Sequence, residues 1–147
     1  MDAISKWAQL LGRVALGAIF VISALGKLAG WSGTVAYASS KGVPQLLLAI
    51  ATALELLGGI SLMLGFKARW GALALIIFLV PVTIVFHNPW ASPPDQQQLQ
   101  LVHFLKNLSI CGGLLIVFGR GAGAFSIDER GTAAASGSLA HGTAGLR

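Results

Sequence analysis

Four apolar runs, at about residues 7–28, 44–65, 70–87 and 99–119, constrain this chain more than any other feature of its sequence. Each is close to the roughly 20 residues that an α-helix needs to cross the hydrocarbon layer. The expected fold is therefore all-α, a four-helix transmembrane bundle. Composition agrees: 55% of the 147 residues are hydrophobic and 10% charged, where about a quarter are charged in soluble domains. The mean hydropathy is +0.78. The lipid bilayer is the first partner the sequence implies.

The breaks between runs carry their own chemistry. Residues 30–43 read as a polar connector rich in glycine and serine, and Pro44 suits the first turn of a helix, where its missing N–H is not needed. Residues 66–69 read as a tight turn. Asn88-Pro89-Trp90 and Ser92-Pro93-Pro94 form a loop no helix crosses, and Asp95 with Gln98 resembles a capping box for the fourth helix. Pro81, inside the third run, frees the carbonyl of Ile77 and is expected to bend that helix. The first run is too long for a signal-peptide core, holds Arg13, and is followed by further spans, so it reads as retained. Past Gly119 comes a glycine-rich stretch and a short amphipathic piece to Arg130. The membrane domain is thus placed at residues 1–128 and a disordered Gly/Ala/Ser/Thr tail at 129–147.

The formal charge is +5 and the pI about 10.0. The cations are too scattered among apolar runs to build a phosphate-binding face, so no nucleic-acid partner is expected. They read as topology information instead. With both termini cytoplasmic, that side holds Lys6, Lys67, Arg69, Arg120, Arg130 and Arg147, against Lys41 and Lys27 on the other. The expected location is a bacterial inner membrane, crossed several times. Cys111 is the only cysteine, which excludes a disulfide framework, a CxxC pair and a thiolate metal cluster held by this chain alone. It reads as a small packed side chain. No metal site is expected.

Ionisable groups within spans cost at least about 2.5 kcal/mol each at mid-bilayer, so they need partners or water and are functional candidates. At a rise of roughly 1.5 Å per residue, Glu55 lies about 16 Å below the outer edge of its helix, with Arg13 about 6 Å deeper and Lys106 about 6 Å shallower. Either long cation is expected to reach the carboxylate. Arg13, Gly17, Phe20, Ala24 and Lys27 form one stripe of the first helix, and Glu55, Gly58, Gly59 and Leu62 one face of the second. His103, Lys106 or Asn107, Ile110 and Gly113 form the stripe of the fourth. One carboxylate cannot neutralise both Arg13 and Lys106, so the surplus charge invites an anion, a quinone carbonyl or water into a pocket open to the outer side. The simpler reading is that the charges hold the helices in register while Lys27 snorkels to the interface.

His87 and His103 fall at similar depth on consecutive helices. That is necessary for bis-imidazole haem ligation and far from sufficient, and a hydrogen-bonding or protonatable role is the stronger expectation. Trp7, Trp31, Trp70 and Trp90 sit near span ends, as an interfacial belt does. Trp90 could also cover a site. Gly119-Arg120-Gly121-Ala122-Gly123 lacks the preceding strand that a phosphate loop requires.

Five motifs occur in order: R-x3-G-x2-F-x2-S-x3-K-L from Arg13 to Leu28, E-L-x-G-G from Glu55 to Gly59, F-H-x2-W from Phe86 to Trp90, F-L-K-N from Phe104 to Asn107, and G-x-G-x2-S-x-D from Gly121 to Asp128. Together they resemble the DoxX family of small four-span bacterial inner-membrane proteins, over about residues 8–128. Ala122 stands where family members often carry proline, and Ser23-Ala24 where they often carry Ser-Gly; neither departure removes an ionisable group. The resemblance implies that Arg13, Lys27, Glu55, His87, Trp90, Lys106 and Asn107 are family-pattern residues. It also implies an association with membrane oxidoreductase complexes and thiol homeostasis, since DoxD-type relatives form the membrane part of a thiosulfate:quinone oxidoreductase.

These readings combine into one expectation: a membrane component of a quinone-linked sulfur or thiol oxidoreductase system. Its intramembrane polar site would comprise Arg13, Lys27, Glu55, His87, Trp90, His103, Lys106 and Asn107. The chain encodes no flavin, thiol pair or metal site, so electrons would come from a redox partner subunit, and a homo-oligomer is a further expected partner. The rival expectation is a non-enzymatic small-solute carrier or membrane scaffold whose buried charges are structural.

Overall fold

The structure, a computed structural model, describes residues 2–131. It contains α1 (Ala3–Ala29), α2 (Trp31–Ser40), α3 (Gln45–Leu64), α4 (Ala68–Phe86) and α5 (Gln97–Arg120), with a short 3-10 turn at Pro89–Ala91. Residues 127–131 add a single helical turn. Helices α1, α3, α4 and α5 are long and apolar enough to cross a membrane, which upholds the all-α, four-span expectation. In lipid only such internally hydrogen-bonded elements can span, so the exposed leucines and isoleucines on their outer faces are what the solvent demands. Helices α1 and α3, α3 and α4, and α4 and α5 pack pairwise, whereas α5 touches α1 only sparsely. One end of the bundle holds the start of α1, the α3–α4 turn and the end of α5: the terminal end. The other, the loop end, holds α2 and the α4–α5 loop.

Close approach of glycines sets the register. A Cβ at Gly17 would lie 2.7 Å from the Gly59 carbonyl oxygen, so α1 and α3 meet backbone to backbone there. The expected inward stripes follow: Arg13, Gly17, Phe20 and Ala24 of α1 are buried, as are Glu55, Gly58, Gly59 and Leu62 of α3. The apolar core gathers around Phe20, Leu62, Leu75, Phe78, Leu79 and Leu114, with Cys111 packed against it.

Two local expectations are corrected. Residues 30–43 are mostly helical, not a plain connector. Small hydroxyl side chains bond back to helix carbonyls, Thr34 Oγ1 to Gly30 at 3.0 Å and Ser40 Oγ to Tyr37 at 2.7 Å, so a composition that resembles a loop is accommodated in a short helix. Nor does the capping box at Asp95 form. Helix α5 starts at Gln97 after Gln96, with no side-chain cap, because the Pro93 carbonyl already accepts from the Gln96 and Gln97 N–H groups.

The turn at 66–69 is tight, as expected. Gly65 adopts φ 64°, and Phe66 N–H and Gly65 N–H donate to the Ser61 and Leu62 carbonyls, the Schellman pattern that only a residue tolerant of left-handed geometry closes cheaply. The helix of α4 runs through Pro81. Of the tail placed at 129–147, residues 132–147 lie outside the described residues.

Candidate functional site

Glu55 is buried, 3% exposed, and its Oε2 is 2.5 Å from Lys27 Nζ. This corrects the expectation that Arg13 or Lys106 is its partner, and with it the idea that Lys27 snorkels outward. The reason is the direction in which helical side chains lean. Cα–Cβ bonds tilt toward the N-terminus of their own helix, and α1 and α3 run antiparallel. With Gly17 beside Gly59, Lys27 stands about 15 Å toward the loop end and Glu55 about 6 Å. Lys27 therefore leans down and Glu55 leans up, and the two long side chains close the difference. The ammonium also lies 5.3 Å from the centre of the Phe78 ring, a cation–π contact.

Arg13, on the same helix as Lys27, leans the same way, toward the terminal end and so away from Glu55. Its guanidinium, 3% exposed, donates from Nη1 to the Ala122 carbonyl at 2.5 Å and from Nη2 to the Phe125 carbonyl at 3.2 Å. It holds the segment after α5 against the terminal end. Gln9 Oε1 accepts from Ala124 N–H, Trp7 packs on Phe125 with ring centres 5.2 Å apart, and the Asp128 carboxylate accepts from the Lys67 and Ala68 N–H groups at 2.7 and 3.0 Å. An anion at a helix N-terminus is well placed there. The closing G-x-G-x2-S-x-D motif is thus a clasp over the terminal end, and Arg13 belongs to it and not to the Glu55 site.

At the loop end the remaining predicted residues do gather. His87 and His103 have ring centres 4.9 Å apart at an interplanar angle of 33°, a tilted contact. Gln100 Oε1 lies 3.0 Å from His87 Nδ1, and Lys106 Nζ 3.3 Å from His103 Nδ1. Lys106, like Glu55, leans toward the N-terminus of its helix and hence away from the carboxylate. Asn107 is buried and donates to Thr83 Oγ1 at 3.0 Å, tying α5 to α4. Trp90 is 76% exposed and packs edge-on against Phe104, so it sits at the rim and does not cover the centre. Sequence reasoning missed Tyr37 and Gln100, and it named Asp128 in the closing motif without its role. Their signals were weak: a lone tyrosine in an apparent connector, one of several glutamines, and an acid far from the helix it caps.

Between α1, α2, α3, α4 and α5 lies a cavity of about 600 Å³, within the roughly 300–1,000 Å³ of small-molecule sites. Its walls are predominantly apolar, and Lys27, Glu55, His87, Lys106 and Asn107 are among its polar points, together with Ser23, Thr34, Tyr37 and Thr52. Ile50 and Ile77 also line it while being 50% and 61% exposed on the lipid-facing surface. Pro81, where α4 loses a backbone hydrogen bond, lines the same cavity.

The DoxX family model matches residues 8–88. The chain is 35% identical over 123 residues to inner membrane protein YphA of Escherichia coli K12, covering 82% of this chain and 88% of that protein. It is 34% identical over 129 residues to inner membrane protein YqjF of the same organism, covering 88% and 95%. A partial likeness, 34% over 77 residues, links it to the ER-derived vesicles protein ERV29 of Saccharomyces cerevisiae, covering 52% of this chain and 25% of that one. No solved structure matches. With the match to the family model spanning more than half the chain and two relatives aligned along most of their length, this is an integral inner-membrane protein that belongs to the DoxX family.

Proposed function

We propose that the chain is the membrane component of a quinone-linked redox system acting on sulfur or thiol substrates, with the loop-half cavity as its binding site. The observation that carries this reading is a void of about 600 Å³ with predominantly apolar walls and a cluster of polar side chains. Such a shape suits a ligand with a hydrocarbon body and a hydrogen-bond-accepting head. Lys106 lines it as a cation without a carboxylate partner among the described residues, suited to a quinone carbonyl or an anion. His87, held by Gln100 at the loop end, is the group placed to exchange protons with that ligand. Electrons come from a partner subunit. The basic residues Lys6, Lys67, Arg69, Arg120 and Arg130 cluster at the terminal end, which supports cytoplasmic termini and an outward loop end.

The closed Lys27–Glu55 pair favours a second reading, a scaffold or small-solute carrier whose charges fix helix register. Quinone loading separates the two. Protein in lipid nanodiscs containing ubiquinone should retain it through washing, as seen by extraction and chromatography. Lys106→Met should lower retention about tenfold, the worth of a charge-assisted hydrogen bond, with thermal stability unchanged. No retention by the unmodified protein, or equal retention by the variant, would reject the quinone reading in favour of the scaffold.

A further inference from the structure

A second, smaller hollow of about 210 Å³ opens at the loop end between α2 and the α4–α5 loop. Lys41, Asn88, Ser92, Gln96, Gln100 and Tyr37 supply its polar lining, and no carboxylate lines it. The hydrogen bonds around it engage the acceptors of Asn88, Ser92 and Gln100. Asn88 Oδ1 accepts from the Trp90 and Ala91 N–H groups at 3.1 and 3.3 Å. The Asn88 carbonyl accepts the Ser92 hydroxyl at 2.7 Å, and the Ser92 carbonyl accepts Gln97 Nε2. Gln100 Oε1 is engaged with His87. The amide nitrogens of Asn88 and Gln100, the ammonium of Lys41, the Gln96 side-chain amide and the Tyr37 hydroxyl make no hydrogen bond among the described residues. A concave surface that offers amide N–H groups, a hydroxyl and one cation, with no carboxylate in its lining, selects for negative charge.

We propose that this hollow is a binding site for a small oxyanion presented from the aqueous side. It adjoins the larger cavity: Tyr37, Val85 and Phe86 line both, and the Tyr37 and Phe86 rings, with centres 5.6 Å apart, form the partition. The anion thus sits one ring pair from the membrane cavity, and the Gln100–His87 contact crosses the same boundary. The site stands on its own lining and does not rest on a quinone filling the neighbouring cavity.

Labelled inorganic sulfate is the probe, offered at low ionic strength to the protein in phosphatidylcholine nanodiscs, since screening weakens an exposed charge. Saturable retention of about one sulfate per chain is expected, weakened about tenfold by Lys41→Met, restored by Lys41→Arg and untouched by Lys6→Met at the opposite end. A parallel set of discs containing phosphatidylglycerol identifies the natural source of the anion. Competition by that lipid assigns the site to a lipid headgroup, and unchanged sulfate binding assigns it to a free anion. Absence of saturable retention, or equal loss in Lys41→Met and Lys6→Met, overturns the proposal. Quinone retention measured on the same Lys41→Met sample should stay intact, so failure of either site is read separately.

Discussion

Arg13 and Lys27 stand on the same stripe of α1, one toward each end of the bundle, and they meet different fates. Arg13 is 3% exposed and donates to main-chain carbonyls of the segment that follows α5. Lys27 pairs with a side chain, Glu55, on the wall of a hollow. The terminal end is thus closed by backbone-directed bonds and the loop end is left open, with side chains facing a void. Packing that leaves no void transmits strain and resists substitution. A half-empty interior tolerates change and admits a guest. The fold places rigidity and access at opposite ends of one helix stripe.

The largest expected effect lies at the closed end. Arg13→Met removes two charge-assisted bonds and leaves the carbonyls of Ala122 and Phe125 without their donors. With two buried acceptors orphaned at roughly 1–3 kcal/mol each, it should cost about 2–4 kcal/mol. Denaturation in detergent micelles gives the magnitude. Limited proteolysis gives the location, because the segment after Arg120 should become the first site of cleavage. If Arg13→Met left both unchanged, the contrast between a locked and an open end would collapse.

The four spans were legible because hydrophobic length is a property of the chain, independent of tertiary detail. The inward stripes followed from helical periodicity, and Glu55, Asn107 and His103 were found where that periodicity put them. The pairing of charges was not legible from depth alone. Counting residues gives the height of a Cα, whereas the reach of Lys or Arg adds several ångströms in a direction set by helix polarity. Applied to antiparallel α1 and α3, that direction selects Lys27 for Glu55 and sends Arg13 to the terminal end. Helix α2 and the clasp by Asp128 stayed hidden for another reason: one depends on back-bonding hydroxyls, the other on a contact between residues far apart in sequence.

A smaller effect is expected at the open end. Glu55→Gln leaves Lys27 without its carboxylate, but the lysine side chain is 28% exposed and can turn toward water and the Phe78 ring. The cost should be about 1–3 kcal/mol, below that of a fully buried pair. Lys27→Met should cost more than the double variant Lys27→Met/Glu55→Gln, in which neither charge is stranded. A thermal double-mutant cycle reads the coupling. Additive single effects would show that the two groups do not act as a pair, and the open end would then owe its register to the Gly17–Gly59 contact alone.

The smallest effect sharpens the comparison within the closed end itself. Asp128 accepts from both Lys67 and Ala68 N–H, and Lys67 is held at φ 49°, so the carboxylate fixes a strained turn and neutralises the positive end of α4 at once. Asp128→Asn keeps one acceptor and loses the other together with the charge. A cost of about 0.5–2 kcal/mol is expected, the range for helix N-caps. It should appear locally, as faster amide exchange at Lys67 and Ala68 with the loop-end amides unaffected. Asp128→Glu should not rescue it, because the longer side chain displaces the oxygens from two adjacent N–H groups. Were exchange to rise equally at both ends, the clasp would be coupled to the cavity through α4, and closing one end would be part of shaping the other.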